Sequence, residues 1–223
     1  MTQRAGGRLF RALAAHRNSI LTPLSPRWRR ELKLLRETRS KTRLLVSDPA
    51  AIHLLACARA ARSLPGAFAE VGVFEGGSAR LICEEKGDAP LHLFDVFEML
   101  QDGPVTGGEE VRDHFGAVHG RLRDVRRLLA SYPNVHFHAG LFPETTAGLE
   151  HLSFSFVHLD LDLPGPTRAA LEYFHPRLVP GGILLGDDYG DPELRACFES
   201  WFAGRPDTFI ELPWSQLMVV RSA

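Results

Sequence analysis

Four aspartates follow two apolar segments that have the composition of buried strands. Asp160 and Asp162 come directly after the first segment, and Asp187 and Asp188 come after the second. Parallel strands end at one edge of a sheet, so we expect these carboxylates to lie close together, where they would repel one another and resist joint ionisation. A hard divalent cation such as Mg²⁺, which binds carboxylate oxygens and water, would remove that repulsion. Helix capping by Asp162 or Asp188 is the alternative interpretation.

A glycine-containing turn after an earlier apolar segment carries acids instead of a phosphate-binding pattern. Gly72 and the glycines at 76 and 77 would let the backbone approach a ligand, and a helix is expected to begin near Ser78 with its amides facing the site. The dinucleotide fingerprint G-x-G-x-x-G fails because its second glycine falls on Phe74. Glu70 and Glu75 favour a ligand with positive charge and no phosphate.

The next apolar segment ends in Asp95, twenty-five residues after Glu70. A carboxylate at that position can accept the hydroxyls of a ribose. S-adenosyl-L-methionine combines a sulfonium, an amino group and a ribose, and it has no phosphate. We therefore predict that this cofactor is bound by Glu70, Gly72, Phe74, Glu75, Ser78, Asp95 and Asp160.

Apolar segments and amphipathic segments alternate from residue 67 onward, which predicts an α/β fold with a mostly parallel, Rossmann-like sheet covered on both faces. The last two strands leave no room for a crossover helix, so we expect an antiparallel hairpin at the sheet edge. The predicted strands are 67–73, 91–94, 134–138, 154–159, 183–185, 209–211 and 217–220. The predicted helices are 6–16, 27–45, 49–63, 77–86, 115–131, 166–176 and 191–203, and 98–113 is a loop expected to form a lid.

Six motifs occur in a characteristic order along the chain. They are Glu70-Val-Gly-Val-Phe-Glu-Gly-Gly-Ser78, Phe94-Asp-Val-Phe-Glu98, Gly140-Leu-Phe-Pro-Glu-Thr145, His158-Leu-Asp-Leu-Asp162, Pro180-Gly-Gly182 and Asp187-Asp-Tyr-Gly190. Over roughly residues 49–223 the array resembles the macrocin-type O-methyltransferases, which methylate sugar hydroxyls on macrolides and related natural products. The resemblance implies a class I methyltransferase with a seven-stranded sheet, S-adenosylmethionine and a bound Mg²⁺. Carried over by position, the metal ligands are Asp160, Asp187 and Asp188.

The chain departs from the family beside the expected acceptor pocket, where Leu163-Pro164-Gly165 replaces the family's Leu-Tyr and its neighbour. Catechol-type relatives place a lysine base three residues after the first metal aspartate, and that position is Leu163 here. Asp160 is therefore the predicted catalytic base, with His114 or His119 of the loop as the alternatives.

The composition is that of a globular chain, with 223 residues, 44% hydrophobic and 24% charged. No run approaches the ~20 apolar residues of a membrane span, so we predict no membrane partner. Three cysteines without a C-x-x-C pair exclude a disulfide framework and disfavour a zinc site. A cytoplasmic location is the simplest expectation.

Basic residues are concentrated at the start of the chain. Residues 1–45 hold twelve Lys or Arg and two acids, whereas the other 178 residues hold 14 basic and 25 acidic side chains. We predict a basic helical extension over 1–45 and the methyltransferase domain over 46–223, with the extension covering the site or building a homodimer. A transit peptide and nucleic-acid binding are alternatives, and nucleic acid is disfavoured because no aromatic or RNA-binding motif is interleaved with the arginines.

The predicted function is Mg²⁺-assisted methyl transfer from S-adenosylmethionine to a hydroxyl of a small-molecule acceptor, expected to be a sugar on a natural product. A catechol-like phenolic O-methyltransferase would use the same acids. A non-catalytic Rossmann-type binding module is a further alternative, which the full set of carboxylates disfavours. A nicotinamide oxidoreductase is disfavoured by Phe74.

Overall fold

The computed structural model describes residues 26–98 and 120–223. The chain divides into two compact units, Met1–Lys33 and Leu34–Ala223, and the entire sheet belongs to the second. The predicted helix 6–16, nearly all of the predicted 98–113 loop, and both loop histidines lie outside the described residues.

Strands and helices alternate in the described residues as the sequence predicts. The strands are β1 (Ala67–Val71), β2 (Leu91–Asp95), β3 (Val135–Ala139), β4 (Phe154–Leu159), β5 (Leu178–Gly186), β6 (Thr208–Leu212) and β7 (Gln216–Val220). The helices are α1 (Arg29–Lys41), α2 (Asp48–Ala61), α3 (Gly77–Glu85), α4 (Leu122–Leu129), α5 (Pro164–Phe174) and α6 (Pro192–Phe202). Short 3-10 turns cover Pro26–Trp28, Glu144–Thr146 and His175–Arg177.

The seven strands form one sheet in the order β3-β2-β1-β4-β5-β7-β6. Strands β1 to β5 pair in parallel, and β7 lies antiparallel between β5 and β6. This confirms the predicted α/β fold and its antiparallel C-terminal hairpin. The strand order reverses at β1, whose neighbours are β2 and β4, and such a switch point is where open α/β sheets bind ligands.

Strand β5 is longer than the predicted 183–185, because Pro180-Gly181-Gly182 lies within it and not before it. The pairing with β4 jumps from Phe154↔Leu178 to Phe156↔Ile183, so a bulge takes up the extra residues. A bulge of this kind accommodates proline and glycine inside a strand because the ladder is interrupted there.

Local capping chemistry sets where two of the helices begin. The Ser47 hydroxyl accepts a hydrogen bond from Ala50 N, and Pro49 occupies the first turn of α2. Asp191 caps α6 by accepting from the amides of Glu193 and Leu194. Helix α1 ends at Lys41, four residues before the predicted end, which releases the following segment toward the β1–α3 turn.

An aromatic cluster forms much of the core between the sheet and the C-terminal helices. Phe94, Phe154, Phe174 and Phe198 are at most 1% exposed, and the rings of Phe154 and Phe174 lie 5.0 Å apart in an edge-to-face arrangement. Burial of each such side chain contributes about 1.5–3 kcal/mol, which fixes β2, β4 and α5 relative to one another. None of the described helices is both long and apolar enough to cross a membrane.

Candidate active site

A cavity of about 400 Å³ lies at the carboxyl ends of β1, β2, β4 and β5. The residues that follow these strands form its floor, and the segment 43–47 and the β6–β7 turn contribute to its lining. The predicted site residues that line it are Gly72, Phe74, Ser78, Asp95, Asp160, Asp187 and Asp188. The cavity therefore occupies the switch point of the sheet, as the sequence predicts.

The glycine turn after β1 packs directly against the backbone that follows β4. Gly72 has φ +88°, and a Cβ atom there would lie 1.7 Å from the carbonyl oxygen of Asp160. Phe74 also adopts the left-handed region, with φ +52°. Only glycine fits position 72, because any side chain would push the turn away from Asp160.

Asp95 organises this turn from the end of β2. Its Oδ2 accepts hydrogen bonds from Val73 N at 2.7 Å and Phe74 N at 2.8 Å, and its Oδ1 accepts from Phe97 N at 2.6 Å. Charge-assisted bonds of this kind are stronger than neutral ones. The carboxylate that the sequence predicts to contact a ribose holds the glycine turn in place, and the ribose contact stays a prediction.

The four aspartates predicted to meet at the sheet edge fall into two groups that share Asp160. Carboxylate oxygens of Asp160, Asp162 and Asp188 lie within 4.8 Å of one another, and ligand atoms of His158, Asp160 and Asp187 form a second such group. Burial and the neighbouring Asp187 raise the pKa of Asp160 well above its usual value. Burial, together with a hydrogen bond and the charge of Asp162, raises the pKa of Asp188 to about 7.

Neither Asp162 nor Asp188 caps a helix, so the capping interpretation is wrong. The residue at the start of α5 is Leu163, whose side chain caps nothing, and α6 is capped by Asp191. Asp162 and Asp188 both adopt left-handed backbone conformations, with φ +57° and +56°. Such strained residues persist only where the surrounding structure over-determines them, and they concentrate at functional sites.

A buried histidine connects the cluster to β1. His158 Nε2 lies 2.8 Å from Asp187 Oδ2, and its Nδ1 lies 2.9 Å from Glu70 Oε1. Burial alone would lower the pKa of His158, but the hydrogen bonds and charges of Asp187 and Glu70 raise it well above its usual value. The sequence indicates His158 only as a buried strand residue; the parallel pairing of β1 with β4 places it beside Glu70.

Glu70 and Glu75 do not line the cavity, unlike the other predicted cofactor residues. Glu70 is fully buried and faces His158. Glu75 binds the segment after α1: its carboxylate accepts from Arg43 N at 3.2 Å, and its carbonyl accepts from the Thr42 hydroxyl at 2.7 Å. Glu75 therefore contacts Arg43 of the cavity lining, whereas Glu70 is linked to the lining residue Asp187 through His158.

Sequence reasoning missed several apolar residues that line the cavity, among them Leu45 and Trp214. Leu45 belongs to the predicted basic extension, and Trp214 lies in the β6–β7 turn. Both residues reach the cavity through tertiary contacts. Exposed aromatic residues in a hairpin turn are the available sequence signal, and it does not specify a cavity.

The seven-stranded sheet, with the order β3-β2-β1-β4-β5-β7-β6, is that of the class I methyltransferase fold. A solved structure, described as an O-methyltransferase from Bacillus cereus in complex with SAH, shares that fold with a TM-score of 0.59. The two sequences are 16% identical, and the match covers 94% of this chain and 97% of the solved chain.

The chain belongs to the macrocin O-methyltransferase family (TylF), whose family model matches residues 51–216. It is 31% identical over 144 residues, 58% of this chain, to the 8-demethyl-8-(2,3-dimethoxy-alpha-L-rhamnosyl)-tetracenomycin-C 4'-O-methyltransferase of Streptomyces olivaceus. It is 31% identical over 150 residues, 59% of this chain, to the mycinamicin III 3''-O-methyltransferase of Micromonospora griseorubida. The matched regions span 55% and 58% of those two proteins.

Proposed function

We propose that this protein is a cytoplasmic, S-adenosylmethionine-dependent and Mg²⁺-assisted O-methyltransferase that acts on a sugar hydroxyl of a natural product. The observation that carries the proposal is that one cavity contains both the glycine turn held by Asp95 and the aspartate cluster. The family membership supports the reaction, and the rhamnosyl group in the name of one relative supports a sugar on a natural product as the acceptor.

The proposed cofactor contacts come from the turn and the end of β2. Gly72, Phe74 and Ser78 line the cavity beside the first turn of α3, whose amides favour the carboxylate end of an amino acid. Asp95 is proposed to bind the ribose. Glu70 and Glu75 are proposed to act through the residues they hold, His158 and Arg43.

The aspartate cluster fits a divalent cation of the Mg²⁺ type. The raised pKa values of Asp160 and Asp188 arise in part from repulsion between carboxylates, which a bound cation would relieve. Asp160, Asp187 and Asp188 are the proposed ligands, and the geometry adds Asp162. When bound, the ion would lower the pKa of an acceptor hydroxyl.

The reaction is an in-line displacement at the methyl carbon. The acceptor oxygen forms a bond to that carbon while the carbon–sulfur bond breaks, and its electron pair goes to sulfur to leave neutral S-adenosylhomocysteine. The hydroxyl proton is proposed to pass to a carboxylate oxygen of Asp160, which faces the cavity. The remaining contribution of the cavity is to align oxygen, methyl and sulfur.

A phenolic acceptor of the catechol type has less support. The position that carries the lysine base in catechol-type relatives is Leu163, which is buried and apolar. Asp160 is therefore the proposed base for either acceptor.

Two measurements test the proposal. Calorimetry should show that S-adenosylhomocysteine binds and NAD does not. Labelled methyl groups from S-adenosylmethionine should then appear on the sugar when rhamnosides and catechol are offered together. Binding of NAD in place of S-adenosylhomocysteine, or labelling of catechol alone, would contradict the proposal.

A further inference from the structure

Three histidines share one face of the sheet where β2 pairs with β3. His92 of β2 pairs directly with His136 of β3, and His138 follows two positions later. Because side chains alternate between the two faces of a strand, all three lie on the same face. The ring of His92 stacks on the rings of His136 and His138, with centroids 4.8 Å and 5.2 Å apart. None of the three lines the cavity, so this histidine cluster is separate from the aspartate cluster.

Two of these rings meet through their nitrogen atoms. His92 Nδ1 lies 3.0 Å from His138 Nε2. Two Zn–N bonds of ~2.0–2.1 Å at a tetrahedral angle place their nitrogens ~3.3 Å apart, which is close to that spacing. A metal ion could therefore lie between the two rings after a small adjustment. The histidine that donates the present hydrogen bond would then carry its proton on its other ring nitrogen.

The two facing rings are neutral near pH 7, as metal ligation requires. Burial, followed by the charges of His138, His136 and His151, lowers the pKa of His92 to about 4. Burial and the charge of His136 also lower the pKa of His138. Transition-metal ions bind the neutral imidazole, so protons do not compete strongly for these nitrogens at neutral pH.

Aromatic neighbours hold two of the rings, while the third has freedom to move. His92 is 7% exposed and lies edge-to-face with Phe154, and His138 stacks on Phe94 with centroids 4.6 Å apart. His136 is exposed, so its side chain can rotate to direct a nitrogen toward an ion held by the other two. The exposed ring also marks the side from which an ion can enter.

The partners of these rings differ from those of the other buried histidines. His158 and His175 each lie 2.8 Å from a carboxylate oxygen, and that contact accounts for their burial. Among the described residues, His92 and His138 hydrogen-bond only to each other. A buried imidazole pair without a carboxylate has no such structural explanation, whereas a metal ion would use both nitrogens.

We propose that His92, His136 and His138 form a metal site, distinct from the aspartate cluster, for a transition-metal ion of the Zn²⁺ type. Imidazole nitrogens favour such ions, whereas Mg²⁺ favours the oxygen ligands of the aspartate cluster. A water molecule would complete the tetrahedral set. The ion would be structural, because it would link the edge strand β3 to β2 outside the cavity lining.

Calorimetric titration of the full chain with Zn²⁺, in excess Mg²⁺, tests the proposal. His138→Gln and His136→Gln should each weaken one binding event by about 100-fold or more, since even partners that only support a metal ligand typically change affinity 10–100-fold. His53→Gln is the matched control, because His53 is half-buried and its Nδ1 contacts Gln216 at 2.9 Å, outside the cluster. This control should bind Zn²⁺ as the unaltered chain does.

Asp188→Asn separates the histidine cluster from the aspartate cluster. It should keep the Zn²⁺ event that His138→Gln loses, and Co²⁺ bound to it should show the visible absorption of a tetrahedral, nitrogen-ligated ion. Because His136 is exposed, His136→Gln should fold even where a substitution of a more buried ring does not. Unchanged Zn²⁺ affinity in either histidine variant, or loss of the event in Asp188→Asn, overturns the proposal. Absence of any Zn²⁺ binding by the unaltered chain overturns it as well.

Discussion

His158 Nε2 donates a hydrogen bond to Asp187 Oδ2 at 2.8 Å, and this contact orients the most buried aspartate of the cluster. Glu70 holds the other side of the ring at 2.9 Å. A partner that orients a metal-binding carboxylate affects metal affinity without contacting the ion. His158 is therefore a positioning residue in the proposed reaction.

His158→Gln should weaken binding of Mn²⁺, a stand-in for Mg²⁺, by roughly 10–100-fold because Asp187 loses its fixed orientation. His175→Gln is the matched control, since His175 is also buried and lies 2.8 Å from Asp207, away from the cavity lining. Calorimetric titration with Mn²⁺ makes the comparison, and denaturant unfolding records the stability that both variants lose. Equal Mn²⁺ affinity in the two variants would leave His158 with a purely structural role.

Gly72→Ala should destabilise the protein far more than Gly148→Ala. Both glycines have positive φ, +88° and +84°, so both substitutions carry backbone strain of about 1–3 kcal/mol. Only at Gly72 would the new Cβ also meet the carbonyl of Asp160, whereas nothing lies within 4 Å at Gly148. Urea unfolding measures the difference, and equal losses of stability would contradict the close packing of the turn against Asp160.

Asp95→Ala should weaken S-adenosylhomocysteine binding by roughly 1–3 kcal/mol, the cost of leaving paired polar groups unsatisfied. The amides of Val73 and Phe74 lose their acceptor in the same variant, so stability should fall as well. Asp191→Ala also removes a carboxylate that accepts from two backbone amides, but it lies outside the cavity lining. Calorimetry that finds the same cofactor affinity in both variants would remove Asp95 from the proposed site.

Deleting residues 1–33 and deleting residues 1–45 should have different consequences. The shorter deletion ends at the boundary of the compact unit and should preserve cofactor binding. The longer one follows the predicted domain boundary, and it also removes Thr42 and Arg43, which contact Glu75, and Leu45, which lines the cavity. It should weaken S-adenosylhomocysteine binding, as measured by calorimetry.

Sedimentation of the same two deletions tests whether the basic extension builds a homodimer. If the 1–33 deletion keeps the turnover and the oligomeric state of the full chain, residues 1–33 neither cover the site nor build a homodimer. The transit-peptide and nucleic-acid alternatives then gain support.

Local sequence patterns predicted the sheet and most of the floor of the cavity. The alternation of apolar segments places Asp95, Asp160, Asp187 and Asp188 at the ends of strands. The carboxyl ends of parallel strands lie at the same edge of a sheet, so these residues are expected to be neighbours. The contact between His158 and Glu70 depends on which strands are neighbours and in what register, and no local pattern carries that information.

The presence of Trp214 and Leu45 in the cavity lining was not predictable either, because it also depends on contacts between distant segments. Trp214 reaches it because β7 inserts between β5 and β6, which brings the hairpin turn against Tyr189 and Gly190. Leu45 reaches it because Glu75 binds the backbone and hydroxyl of the preceding residues. Both contacts join segments that are far apart in the chain.

The most direct test of the central claim is methyl transfer to a rhamnoside with and without EDTA. The account predicts that chelation abolishes transfer while S-adenosylhomocysteine still binds, that added Mg²⁺ restores transfer, and that Asp187→Asn requires more Mg²⁺ without unfolding. Full transfer in EDTA, with the metal content of the protein measured as nil, would contradict the metal-assisted mechanism.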